Sequence, residues 1–146
     1  MKLLFALFIV SFLINGNVLA NKLEQAEQKA QSEHKFILLN FSGSDWCGPC
    51  IRMDKEILES EDFKSYANTA LIFINADFPR LKKHQLSPEE QKENDELAEK
   101  YNSDGVFPCT ILLDSNGKII NTWKGYYTKG AMAFTQEVKK LIAKKG

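Results

Sequence analysis

Hydrophobic positions along the chain change period several times, and each change marks an element. Leu3 to Ile14 is an apolar run interrupted only by Ser11, preceded by Lys2 and followed by Asn15, Gly16 and Asn17 leading into Val18-Leu19-Ala20. A short basic start, an apolar stretch and a small residue at the end form the pattern of a secretory signal peptide, with cleavage expected after Ala20. As a helix, the run of about 12 residues would reach roughly 18 Å, short of the roughly 30 Å hydrocarbon core of a bilayer. An uncleaved anchor and an ordinary N-terminal core helix are the competing readings.

From Asn21 to His34 the chain is polar, with Leu23, Ala26 and Ala30 at helical spacing, which predicts an amphipathic helix. Phe36 to Phe41 is a nearly continuous apolar run, as in a strand covered on both faces. Ser42 to Asp45 reads as a turn, with Asp45 a solvated turn residue or an electrostatic neighbour of the cysteine pair that follows. A helix is expected from that pair through Met53, Ile57 and Leu58, broken or bent by the acidic stretch Glu59 to Asp62 before Phe63 and Tyr66. Ala70 to Asp77 is a second buried-strand pattern, and Phe78 to Leu86 an exposed loop carrying Arg80, Lys82, Lys83 and His84.

Ser87, Pro88 and Glu90 together form a helix start, with the serine as cap, the proline in the first turn and the glutamate closing a capping box. That helix should run through Leu97, Ala98 and Tyr101 and end at Asn102 to Gly105. Cys109 to Leu113 and Lys118 to Lys124 read as two strands joined by a turn at Asn116-Gly117. From Thr128 onward, Phe134, Val138, Leu141 and Ile142 fall on one helical stripe, with lysines at the end that favours cations. Strands and helices alternate and a hairpin closes the order. This predicts one α/β domain over residues 21–146, a mixed sheet with helices on both faces.

The whole chain has 146 residues, and its 19 basic and 19 acidic side chains give a formal net charge of zero. Loss of residues 1–20 leaves 126 residues with 18 basic and 19 acidic groups. No basic excess advertises a nucleic-acid partner, and no stable membrane insertion is expected once the leader is gone. A monomer is the expected state.

Three cysteines, at 47, 50 and 109, all lie beyond the leader. An odd number does not make a stapled framework, and a bridge between 47 and 50 would close too small a loop to restrain the unfolded chain much. In Trp46-Cys47-Gly48-Pro49-Cys50 the pair follows a buried strand and opens a helix. Two intervening residues in a first turn let the sulfurs meet, and the free N–H groups of the helix start favour a thiolate on the first cysteine. Cys47 is thus the expected nucleophile and Cys50 the resolving thiol, together a redox disulfide. A metal site and an inert bridge are the alternatives, but zinc would need about two more ligands, and His34, His84 and Cys109 form no second motif. No metal and no cofactor is expected. Cys109 reads as a small buried hydrophobe, with a third redox role as the alternative. The Arg80 to His84 cluster reads as solvated, with a partner-docking patch as the alternative.

These features resemble the thioredoxin superfamily: Trp46-Cys47-Gly48-Pro49-Cys50 is identical to the thioredoxin active-site pentapeptide, and Phe107-Pro108 before a strand matches the family's cis-proline. The likeness covers about residues 34 to 145. It implies a thioredoxin-like fold in which Trp46, Gly48, Pro49, Phe107, Pro108 and the Gly125 region form a groove for disulfide-containing protein substrates. The family's buried aspartate and its lysine partner are matched by Asn40 and Phe73, so water is the expected proton acceptor at Cys50. The longer Ser42 to Asp45 lead-in and the longer Phe78 to Glu93 region resemble exported bacterial thioredoxin-like proteins.

The expected function is an exported, most simply periplasmic, thiol-disulfide oxidoreductase. Gly48-Pro49 resembles reducing members, with potentials near roughly −270 mV, rather than oxidants near roughly −120 mV. A reductase in an oxidising compartment needs electrons, and the resemblance implies a membrane thiol-transfer protein as donor. A disulfide oxidase or isomerase, or a non-catalytic peptide-binding module of the same fold, is the alternative.

Overall fold

The computed structural model describes residues 21–145, so the expected signal peptide lies outside the described residues. Helix α1 (Lys22–Glu33) begins on a capping box: the Asn21 side chain accepts from the Glu24 N–H, and the Glu24 carboxylate accepts from the Asn21 N–H. Strand β1 (Phe36–Ser42) follows, then a short helix α2 (Gly48–Met53) that widens into one π-helical turn over Asp54–Leu58. The expected bend is there, but the helix loosens before the acidic stretch. Ser60 then caps a new helix, α3 (Glu61–Ala70), through its hydroxyl and the Phe63 N–H.

Strand β2 (Leu71–Asp77) leads into a loop with one 3₁₀ turn at Lys82–His84, and helix α4 (Pro88–Tyr101) starts at the Ser87 cap read from the sequence. Strands β3 (Cys109–Leu113) and β4 (Ile119–Lys124) form the hairpin, and helix α5 (Ala131–Ala143) closes the chain. In the turn, Gly117 has φ +75 and its carbonyl accepts from the Tyr101 hydroxyl at 2.8 Å.

The four strands lie in the order β2-β1-β3-β4. β1 and β2 are parallel, with Phe36 opposite Leu71, whereas β1–β3 and β3–β4 are antiparallel. The predicted α/β mixed sheet with helices on both faces is the observed architecture. Alternation along the central strands splits the core into two layers. Ile37, Leu39 and Phe41 join Cys109, Ile111 and Leu113 under α1 and α4, packed against Ala26, Ala30 and Leu97. Leu38 and Leu112 face the other way, towards Met53, Ile57, Phe63, Phe134 and Val138. In that second layer the Phe134 ring meets Trp123 at 4.9 Å, Tyr127 at 5.1 Å and Phe63 at 5.5 Å, which fixes α5 against α3 and β4. Burying such a side chain contributes roughly 1.5–3 kcal/mol. The consequence for the site is positional: α2 follows, after a five-residue turn, a strand buried from Ile37 to Ser42, and is backed by the second layer through Met53.

Candidate active site

Cys47 is the N-cap of α2 and is bonded to Cys50, with Cα atoms 5.2 Å apart. Its sulfur also accepts from the Cys50 N–H at 3.3 Å. Pro49 in the first turn has no N–H to donate and a backbone angle already suited to a helix. Within the pair, Cys47 is 6% exposed and Cys50 is fully buried, while Gly48 and Pro49 are exposed. An incoming sulfur can therefore reach only Cys47 without the helix moving.

Trp46, the residue before Cys47, is fixed on several sides. Its indole N–H donates to the Phe78 carbonyl at 2.7 Å, the Phe107 ring packs edge-on at 5.6 Å, and the Arg80 guanidinium lies 3.6 Å from the ring centroid. Phe78 and Phe107 also meet at 5.5 Å. The Phe107-Pro108 bond is cis, and the Pro108 carbonyl accepts from the Gly125 N–H at 2.8 Å. The structure thus brings Trp46 against Phe107 next to the cysteine pair, with the buried Pro108 following Phe107 in the chain and tied to Gly125. Asn102 donates to the Val106 carbonyl at 2.9 Å and accepts the Val106 N–H at 3.1 Å, which holds the segment ahead of the cis bond. The sequence pattern marked Asn102 only as part of a helix end.

Asp45 is a correction to the solvated-turn reading. Its side chain is only 4% exposed, because its oxygens accept from the Arg80 N–H at 2.9 Å and the Leu81 N–H at 3.0 Å and pair with His84 Nδ1 at 3.0 Å. The Arg80 amide bond is the main cause of a carboxyl pKa below the ordinary aspartate value. Next to it, Asp77 accepts from the Ser44 N–H at 2.9 Å and the Ser44 hydroxyl at 2.5 Å. The turn before the cysteines and the loop after β2 are thereby one hydrogen-bonded unit. A one-dimensional hydrophobic pattern carries no sign of a contact spanning 35 residues.

Asn40 is 1% exposed, accepts from the Thr110 hydroxyl at 2.9 Å and donates to Asn75 at 3.0 Å. It is a neutral, paired amide. The nearest thing to a perturbed acid on α2 is Asp54, whose N–H donates to the Cys50 carbonyl one turn away. Burial, helped by the charges of Glu59 and Asp77, raises its carboxyl pKa, and the buried Ser42 hydroxyl, otherwise without a partner among the described residues, lowers it slightly. Phe73 is half exposed on the β2 edge.

Cys109 is 1% exposed and belongs to the layer under α1 and α4, opposite the face that carries α2. Burial pushes its thiol pKa up. Shape alone would direct attention elsewhere: a groove of about 310 Å³ is lined by Asp54, Leu58, Phe63, Phe73 and Asn75. It contains no sulfur or imidazole, so chemistry rather than volume marks the site.

The sequence family described as a thioredoxin-like domain matches residues 23–142. The disulfide bond reductase DsbH of Chlamydia pneumoniae is 39% identical over 119 residues, covering 81% of this chain and 69% of that protein. A solved DsbH oxidoreductase structure superposes with a TM-score of 0.75 at 33% identity, covering 85% of this chain and 83% of the other. The oxidised C-terminal domain of Neisseria meningitidis DsbD, at 19% identity and a TM-score of 0.53, covers 80% of this chain and 89% of its own and shares the fold.

Proposed function

The chain belongs to the thioredoxin-like family, and from that premise we propose that it is a thiol-disulfide oxidoreductase that reduces protein disulfides outside the cytoplasm. One observation carries the reading: the Cys47–Cys50 disulfide sits at the mouth of α2 with Cys47 the accessible sulfur.

In the reduced protein the Cys47 thiolate attacks one sulfur of a substrate disulfide. The S–S bond breaks, a mixed disulfide forms, and the departing substrate thiolate takes a proton from water. Cys50 then gives up its proton, which water accepts, since the buried group at position 40 is a neutral amide. Its thiolate attacks the Cys47 sulfur and releases the second substrate thiolate. Two electrons pass to the substrate, and the protein is left with the Cys47–Cys50 disulfide found in the structure. The Cys50 N–H, already directed at the Cys47 sulfur at 3.3 Å, stabilises the nucleophilic thiolate. Trp46, Gly48, Pro49, Phe107 and Pro108 line the approach of an extended substrate segment.

The reducing direction is supported by Gly48-Pro49 between the cysteines and by likeness to a protein named as a disulfide bond reductase. Regeneration calls for an electron donor, for which a membrane thiol-transfer protein is the fitting class. The leader pattern of residues 1–20 and the bacterial relatives support a periplasmic setting. The mass of the exported chain tests that part directly: it should begin at Asn21.

Insulin reduction with dithiothreitol tests the chemistry. Wild type should accelerate turnover and Cys47→Ser should abolish the acceleration; activity surviving that change removes Cys47 from its role. The equilibrium potential of the pair tests direction, because a value above about −180 mV lies in the isomerase range and overturns the reductase reading.

A further inference from the structure

We propose that the loop from Phe78 to Leu86 is a specificity surface of this site, selecting substrate disulfides flanked by acidic residues; this rests on the reductase reading above. Four observations lead there.

The loop is strongly one-signed. Arg80, Lys82, Lys83 and His84 are exposed, and residues 78–86 include no acid. Among the described residues, the carboxylate hydrogen-bonded to the loop is Asp45, whose side chain is 4% exposed and occupied by two backbone N–H groups and His84. Among the described residues, no carboxylate lies within ion-pair distance of Arg80, Lys82 or Lys83. Asp77, the acid at the start of the loop, is taken by Ser44, and Glu90 at its far end faces its own helix cap.

The loop is also held in place. Asp45 binds it at residues 80, 81 and 84, the Phe78 N–H donates to the Ser42 carbonyl at 2.9 Å, and the Phe78 carbonyl accepts the Trp46 indole. Arg80 is stacked on Trp46, which adjoins the nucleophilic cysteine in the chain. A guanidinium in that position keeps its donors free at the rim of the groove, since stacking uses its face and leaves its edge. Cations set within about one Debye length of a reacting pair, roughly 8–10 Å, raise the local concentration of acidic segments and retain them in register. A chain whose 18 basic groups beyond residue 20 are matched by 19 acidic ones gains this selectivity only from where its charges are placed.

The test uses the reduced full-length domain and three disulfide peptides of one length, flanked by acidic, neutral or basic residues. The acidic peptide should be reduced with a kcat/KM about tenfold above the neutral one at low salt, the size expected from three exposed charge pairs. The advantage should fall to within about twofold at high ionic strength. In Arg80→Gln/Lys82→Gln/Lys83→Gln the acidic-to-neutral ratio should fall to about one. Asp45→Ala keeps all three cations but frees the loop, and it should lower the same ratio; an unchanged ratio there overturns placement by Asp45. Equal rates for all three peptides in wild type overturn the proposal and leave the reductase reading intact. If no peptide is reduced, the reductase reading fails, and the surface is judged by amide chemical shifts on titrating a cysteine-free acidic peptide. Shifts at residues 80–84 and at the Trp46 indole N–H support it, and their absence overturns it.

Discussion

Gly43 lies flat against the Trp46 indole, so closely that a Cβ on Gly43 would stand 2.6 Å from the ring nitrogen. Real carbon contacts do not come that near, and the ring has little room to move, being bounded by Arg80 and Phe107 and bonded to the Phe78 carbonyl. Gly43→Ala should therefore displace the indole and break its hydrogen bond, at about 1–3 kcal/mol of stability, the usual cost of overpacking. Urea denaturation gives the energy. A changed indole N–H resonance reports the displacement, and an unchanged one with full stability would show that the ring is not confined.

Asp45 predicts a pH dependence with a definite sign. Its carboxyl pKa is lowered in the folded protein, chiefly by the Arg80 N–H. The stabilising contribution is therefore fully present above the unfolded aspartate pKa, about 4, and is lost as pH falls through the lower folded value. Denaturation midpoints of wild type and Asp45→Ala should be separated most at pH 6 and converge towards pH 2. A gap that stays constant across that range would mean the anchor does not depend on the charge.

Asp54 works in the opposite direction. Burial and the charges of Glu59 and Asp77 raise its pKa, so the folded state resists ionisation of this group. The penalty is absent below about pH 4 and grows as pH rises through the folded value. Asp54→Asn removes it and keeps the shape. The variant should be more stable than wild type at neutral pH and indistinguishable from it near pH 3. Chemical denaturation at the two pH values decides; destabilisation at pH 7 would show that the Ser42 hydroxyl and the helix need the charge.

These electrostatic contacts mark where sequence reading stops. The continuous apolar run from Phe36 to Phe41 and the stripe of Phe134, Val138 and Leu141 are local, and from such patterns the doubly covered strand, the C-terminal helix and the element order were legible. The cysteine pair was legible because its chemistry is written in adjacent residues, whereas the cis bond at Phe107-Pro108 was implied by the family resemblance. Asp45 was not. Its partners lie 35 to 39 residues away, and an aspartate in a Ser-Gly-Ser-Asp turn has the composition of a solvated residue whether or not a loop folds over it. Gly43 was opaque too, since its need for a bare backbone arises from where Trp46 is held. The π-helical turn at Asp54–Leu58 keeps Ile57 and Leu58 in the core without any break in the apolar spacing, so the pattern registered a bend but not its place.

Cys109 separates the redox pair from a third thiol. It directly follows the cis-proline, yet the pleat directs it into the layer under α1 and α4, whereas the cysteine pair belongs to α2, whose Met53 packs into the other layer. Burial also raises its pKa, so the reactive thiolate is scarce at neutral pH. In reduced protein at pH 8, iodoacetamide should therefore label Cys47 first and leave Cys109 unmodified until denaturant is added. Peptide mapping by mass spectrometry reads this site by site. Cys109→Ala should reduce insulin at the wild-type rate and lose stability only to the extent of a small cavity, about 1 kcal/mol. Rapid labelling of Cys109 in the folded protein, or loss of turnover in Cys109→Ala with the fold retained, would instead make it a participant in exchange, reached by an opening of the sheet that these contacts do not provide.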